Sequence, residues 1–434
     1  MADTSQEQIY WRPSEGYINN SNLKRILGKF NISYNDFFKR SIADPEWFWT
    51  AFLDDIGFIW FQHFRQVVNT SRGKQFPDWF SGGKTNWVYS ALHKWATLKP
   101  EKIAIVSTNE RGERKNLTYK ELLELTERIM YGLLKKGARK GDRIGIYMSM
   151  VPETVATFLA ISAIGAIVVP LFSGFGAEPI CVRLADAEAK FLFSQNEIIR
   201  KGKKIDTFPI LEAVIKNTPS IEKAFILDLE KDKSNSIFLN FNELIGTHKN
   251  IALEGFDSST PFMLIYTSGT TGKPKATVHT HTGFPIKSAQ DMYHLFDVKD
   301  TDRVFWLTDL GWMMGPWLVC GTLLLGATMV LYDGAPDYPA AEHLWQVIDE
   351  NNVSICGISP TFIRCQLAVP NLQIDKFNFS ALRILGSTGE PWNPTPWQWT
   401  IDKIGKGRCP IINYSGGTEI SGGILGCTVL HPLK

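Results

Sequence analysis

The 434-residue chain has only six cysteines (Cys181, Cys320, Cys356, Cys365, Cys409 and Cys427), and no two of them form a Cys-x-x-Cys pair. Thiols spaced so widely exclude a disulfide framework and a four-cysteine zinc site; they read as buried thiols in a reducing compartment. Excess charge of one sign is also missing. The formal net charge of +2 excludes the broad basic face that nucleic acid requires. The opening residues, MADTSQEQIYWRP, show no basic stretch followed by an apolar core, so no secretory signal is expected. Internal repeats and low-complexity tracts are lacking as well. One charge-free run, TVATFLAISAIGAIVVPLF at 154–172, approaches membrane-spanning length. Gly165 and Pro170 interrupt it, and β-branched residues crowd its second half. The expectation is a buried helix over about 153–163 followed by a buried strand over about 166–171. A cytoplasmic location without a membrane partner follows as an expectation, and nothing in the sequence sets the oligomeric state.

What is present is the composition of a globular protein, with 44% apolar and 21% charged residues. A chain of this length exceeds one hydrophobic core, and two or three subdomains are expected. From about residue 100 onward, short apolar strands alternate with amphipathic helices. KIAIVS (102–107) precedes LTYKELLELTERIMYGLLKKG, in which Thr118 and Glu121 form a capping box. Leu122, Leu125, Ile129 and Leu133 make one stripe, and Gly137 can take the left-handed stop. RIGIYM, KFLFS, AFILDL, FMLIY, VFWLT, ATMVLY, SICGIS, LRILGST and PIINYSG continue the pattern. Strands buried on both faces and separated by helices predict an α/β fold of layered parallel sheets. In such sheets ligands sit at the carboxyl ends of strands. The first hundred residues differ: they are rich in tryptophan and phenylalanine and show helical periodicity. They read as a mainly helical extension, 1–98, packed on an α/β domain, 99–434.

One loop follows a buried strand at such a carboxyl end: YTSGTTGKPKATVHTHTG, 266–283. It is not the Walker pattern, because Pro274 stands where a serine or threonine should follow Lys273. Glycine amides, the hydroxyls of Thr267, Ser268, Thr270 and Thr271, and the charges of Lys273 and Lys275 suit a phosphate cradle. A solvated hairpin turn suits them equally. His279 and His281 form an H-x-H pair without a third ligand nearby in sequence, and read as core or helix-start histidines.

YTSGTTGKPK resembles the signature loop of the adenylate-forming enzymes. Further matches appear in that family's order: SPTFIR (359–364), RILGSTGEPWNP (383–394) and INYSGGTEISGG (412–423). DLGWMMGP, GATMVLYDGAPDYP, GEPWNP and, in the extension, ADPEWFW, GFIWF and WFSGGKTNWV are similar to the acetyl-CoA and acetoacetyl-CoA synthetase branch. The likeness covers nearly the whole chain from about residue 34. It implies ATP-dependent activation of a carboxylic acid to an acyl-adenylate, then transfer to coenzyme A. Thr267, Ser268, Gly269, Thr270, Thr271, Gly272 and Lys273 would hold the β- and γ-phosphates. Thr418 would contact the α-phosphate, and Glu419 would ligate Mg²⁺. Gly389, Glu390 and Pro391 would line the adenine with Tyr414 close to the ring, and the Asn413–Gly417 run would border the nucleotide. Thr267, Lys273, Thr418 and Glu419 carry the catalytic expectation. Arg200 and Lys203, in RKGKK (200–204), either pair with the phosphates of coenzyme A or form a solvated charge run.

Departures from the family bear on the acid. Ser415, Gly416 and Gly417 stand where acetyl-CoA synthetases have Trp-Trp-Gln, and the second indole closes their acyl pocket. Its loss implies open space at Gly416. Trp312, Met313, Met314 and Thr388 would line that pocket, and an acid larger than acetate is expected. The chain stops at VLHPLK, before the family's ribose-binding aspartate, hinge and lid. A separate chain supplying the lid, and weak turnover without it, are expectations. The alternatives are a non-catalytic nucleotide-binding remnant and an adenylation domain that serves a carrier protein.

Overall fold

A computed structural model of the chain describes residues 9–246, 251–267, 272 and 274–434. Apolar runs too continuous for a half-exposed sheet form strands covered on both faces, and they assemble two mainly parallel sheets. The first sheet runs in the spatial order Phe238–Asn240, Lys223–Leu227, Phe191–Gln195, Arg143–Tyr147, Ile167–Pro170, Pro261–Thr267 and Lys275–Thr280. Only the last strand is antiparallel to its neighbour. The second sheet runs Gly422–Gly426, Ile411–Gly417, Ile384–Ser387, Ile355–Ile358, Arg303–Trp306, Thr328–Asp333, Ile103–Asn109 and Arg114–Thr118. Its six inner strands are parallel and both edges are antiparallel. Each of the short apolar runs expected as strands, from KIAIVS to PIINYSG, lies on one of these strands.

The charge-free run divides as expected into a helix, Pro152–Ala163, and a strand, Ile167–Pro170. Gly165, at φ +73°, turns the chain between them. Among the described residues no helix is long and apolar enough to cross a membrane. The Thr118 capping box is formed: Oγ1 of Thr118 accepts the Glu121 N–H at 3.1 Å, and the Glu121 carboxylate accepts the Thr118 N–H at 2.7 Å. The helix it starts, Tyr119–Lys135, ends before Gly137 at φ +90°.

The extension is mainly helical as expected, with Glu15–Asn19, Asn22–Phe30, Tyr34–Ala43, Pro45–Asp55 and Lys94–Leu98, but short strands lie among the helices, and two other expectations need correction. Gln66–Asn69 pairs with Asp78–Ser81, and Lys84–Thr85 pairs with the distant Phe256–Asp257. Strands of two to four residues leave no period in the sequence. The second half of the threonine-glycine loop is itself a strand, Lys275–Thr280, hydrogen-bonded back onto Pro261–Thr267. Finally, all six cysteines are free, yet Cys365 and Cys427 are exposed rather than buried. The aromatics of the extension do pack into the main core: the Trp87 ring lies 6.0 Å from Phe158 and 5.8 Å from Phe262.

Candidate active site

Because the inner strands of each sheet are parallel, their carboxyl ends deliver loops to one side. A cavity of ≈ 580 Å³ opens where the two sets of loops face each other. The first sheet contributes Met150 and Phe172–Gly174, from the loops after Arg143–Tyr147 and Ile167–Pro170. The second contributes Asp309 and Trp312, Gly334–Pro336, Ser359, and Thr388 with Gly389, each beyond the end of a different strand. A larger cleft of ≈ 750 Å³ lies at the amino ends of the second sheet's strands, lined by Arg25, Asp55 and Trp95. Arg25 and Asp55 are consumed by each other at 2.7 Å, and no loop from a carboxyl end reaches the cleft. The cavity at the strand ends is therefore the candidate site.

Trp312, Met314, Thr388, Gly389 and Arg200 line that cavity together. Met313 instead packs against the main core. Two groups outside the expectation shape the cavity wall. Asp309 is 7% exposed and accepts the hydroxyl of Ser173 at 2.6 Å and the N–H of Gly311 at 2.9 Å. Burial raises its pKa against these hydrogen bonds and the charge of Arg200. The pair fastens the loop of Phe172 to the loop of Trp312, whose rings lie 5.6 Å apart. Arg200 donates to Asp333 at 2.6 Å, and Asp333 in turn accepts from Ser149 at 2.9 Å. A signal for Asp309 was available in TDLGW, an acidic residue between a buried strand and a glycine.

Lys203 is exposed and pairs in register with Arg200 across a two-residue hairpin. The central residues of that turn, Lys201 and Gly202, have φ +52° and +72°. The left-handed conformation costs a non-glycine residue such as Lys201 about 1–2 kcal/mol.

The nucleotide-side residues divide. Thr267 ends the Pro261–Thr267 strand at the same carboxyl edge, and Gly272 beyond it is exposed at φ +84°. Ser268, Gly269, Thr270, Thr271 and Lys273 lie outside the described residues. Thr418 and Glu419 form a short turn directly after Ile411–Gly417, with Glu419 exposed. Pro391 is exposed, whereas the carboxylate of Glu390 is taken up by Arg364 at 2.5 Å and by the Thr361 N–H at 2.7 Å.

Tyr414 and Gly416 lie outside the cavity lining. On the Ile411–Gly417 strand Asn413 and Ser415 face outward, so Tyr414 faces the opposite way. Its ring is buried against Phe296 and Trp317, and its hydroxyl donates to the buried Asp291 at 2.8 Å. Only the neighbouring positions can meet a ligand on the open side. Gly416 is exposed, and backbone occupies the direction that a side chain there would take. The strand folds back on Gly422–Gly426, and a Cβ at Gly416 would lie 2.8 Å from the Cα of Gly423 and collide with the Gly422 carbonyl.

His279 and His281 are core histidines, as read from the sequence. His279 meets Thr277 and Ser421 at 3.1 and 3.0 Å, and His281 packs on Phe256 and Phe262. Burial lowers their pKa values to about 4 and about 3. Among the described residues no group of three or more histidine, cysteine or acidic side chains could hold a metal ion.

Comparison with known proteins agrees with this architecture. The model of the AMP-binding enzyme family matches residues 92–434, and that of the acetyl-coenzyme A synthetase N-terminus matches 28–91. The chain belongs to the AMP-binding enzyme family. It is 32% identical over 431 residues to the acetyl-coenzyme A synthetase of Chlorobaculum tepidum, covering 98% of this chain and 64% of that protein. To the acetyl-coenzyme A synthetase of Methanothrix thermoacetophila it is 36% identical over 384 residues, 86% of this chain and 57% of that protein. The structure of acetoacetyl-CoA synthetase from Streptomyces lividans superposes with a TM-score of 0.92 at 25% identity, over 98% of this chain and 67% of that one. The chain thus spans a little under two thirds of the length of the first of these relatives.

Proposed function

We propose that the chain carries the acid-activating site of an ATP-dependent, AMP-forming acyl-CoA synthetase for a short-chain carboxylic acid larger than acetate. The observation that carries this reading is the cavity at the facing strand ends. It joins Trp312, Met314 and Thr388 on one wall to Gly389, and the Thr418–Glu419 turn follows the adjacent strand. A carboxylate attacking the α-phosphate of ATP must be held against another anion, in a place that excludes water and supplies fixed donors. In this reading Thr267 and Gly272, at and beyond the end of one strand, and Thr418, beyond the end of another, would supply donors to the phosphates. Mg²⁺ fits the donor set here: it favours one carboxylate with phosphate oxygens and waters, and Glu419 is a lone exposed carboxylate. When bound, the ion would neutralise phosphate charge. Coenzyme A would then take the acyl group on the side of the cavity that Arg200 lines, with Lys203 paired beside Arg200 on the hairpin.

The adaptable thioether of Met314, beside Trp312 and Thr388 on the cavity wall, supports an acid larger than acetate. Similarity both to acetyl-CoA synthetases and to an acetoacetyl-CoA synthetase brackets the substrate without choosing it. Acid-dependent release of pyrophosphate from ATP, measured with acetate, butyrate, acetoacetate and 3-hydroxybutyrate, tests both parts. Even slow turnover suffices, because the prediction is a ratio. One of the larger acids should exceed acetate; a preference for acetate overturns the size argument, and no acid dependence overturns the ligase reading.

A further inference from the structure

Glu110 follows the Ile103–Asn109 strand and does not line the cavity, yet it is only 9% exposed. Its carboxylate gathers three backbone N–H groups. Oε1 accepts from Lys201 at 2.9 Å and from Ala335 at 2.6 Å, and Oε2 accepts from Gly202 at 2.8 Å. Lys201 and Gly202 are the two central residues of the hairpin that pairs Arg200 with Lys203, and Ala335 lies on the cavity wall. One side chain therefore ties the basic turn to the rim of the site. Burial alone would discourage its charge, but the three amides and Arg200 outweigh burial and hold its pKa below the usual carboxylate value.

The turn needs such a hold. With a lysine in the left-handed region at its first central position, the hairpin lacks the Asn-Gly or Gly-Gly pair that would form this geometry unaided. An anion facing two successive amides stabilises that conformation. Arg200 has a second anchor in Asp333. Lys203 is exposed, and its direction is set by the turn.

We propose that Glu110 is a positioning residue, which acts through the Lys201–Gly202 amides to present Arg200 and Lys203 to the 3′-phosphate of coenzyme A. This rests on the reading of that basic turn as the coenzyme A contact. Ordinary misfolding and loss of positioning are separated by a ratio of two ligands that differ only in that phosphate.

The experiment is calorimetric titration of the 434-residue chain with coenzyme A, dephospho-coenzyme A and a non-hydrolysable acyl-AMP analogue. Glu110→Gln preserves shape, but its amide nitrogen presents a donor to one of the N–H groups. The preference for coenzyme A over its dephospho form should fall about tenfold, with affinity for the acyl-AMP analogue unchanged. An R200A/K203A double variant should lose the preference, and adding E110Q to it should change nothing more. Glu110→Asp, which keeps the charge but shortens the reach, should fall between and serves if E110Q does not fold. A wild-type preference retained in both Glu110 variants overturns the proposal, as does a wild-type chain that does not distinguish the two thiols. Absence of acyl-AMP binding in the wild type would instead refute the activating site itself.

Discussion

Gly416 decides how the ligand side of the second sheet ends. The return of the chain into Gly422–Gly426 brings backbone against its Cα, so a side chain has nowhere to go. Gly416→Ala should cost about 1–3 kcal/mol by overpacking, read as a lower urea midpoint at an unchanged slope. A variant as stable as the parent would mean that the hairpin does not close as described. The motif around this residue was legible in the sequence, but the direction of each side chain was not read. Alternation along Asn413, Tyr414 and Ser415 puts polar residues on one face and the ring on the other, which assigns Tyr414 to the core. Homology of a motif gives an address. The period of two gives the side of the sheet, and it outweighs the motif where the two conflict.

At the scale of elements, the helix Tyr119–Lys135 shows how much local chemistry fixes. Its start, stripe and stop were readable because caps act within four residues. Thr118→Ala removes the acceptor for the Glu121 N–H and should destabilise the chain by about 1 kcal/mol. A change near zero would show the capping box to be idle. The short strands of the extension could not be read, since Lys84–Thr85 finds its partner at Phe256–Asp257 across the chain. The same limit hid what Asp309 and Glu110 grip. Each binds backbone amides of a segment remote in sequence, Ser173 in one case and Lys201, Gly202 and Ala335 in the other. Strand identity is a local property; what a loop grips is not.

For the molecule as a whole, the seam between extension and sheets holds its most distinctive charge behaviour. His294 is buried among Phe37, Phe48 and Phe52, and burial lowers its pKa to about 4. His279 and His281 are lowered to about 4 and about 3 by burial as well, and His93 is lowered for the same reason. These groups are neutral when folded, whereas in the unfolded chain they take up protons below about pH 6.5. The unfolded state therefore binds more protons between about pH 6.5 and 4, and stability must fall as pH drops through that window. Each deeply buried histidine can contribute on the order of 1 kcal/mol per pH unit. The depressed carboxylates, Asp55, Asp300 and Glu390 among them, act only lower, below the unfolded carboxylate range. Unfolding midpoints at pH 7.5 and 5.5 check this: a clear drop at 5.5 is expected, and equal midpoints would contradict it. The central claim, that facing strand ends form an acyl-adenylate site, is tested most directly by thermal unfolding with non-hydrolysable acyl-AMP analogues of increasing acyl length. Saturation at a hundred times Kd should add about 2.7 kcal/mol to the native state. A stabilisation that grows beyond acetyl and fades for long chains is the predicted result; no stabilisation by any analogue would contradict it.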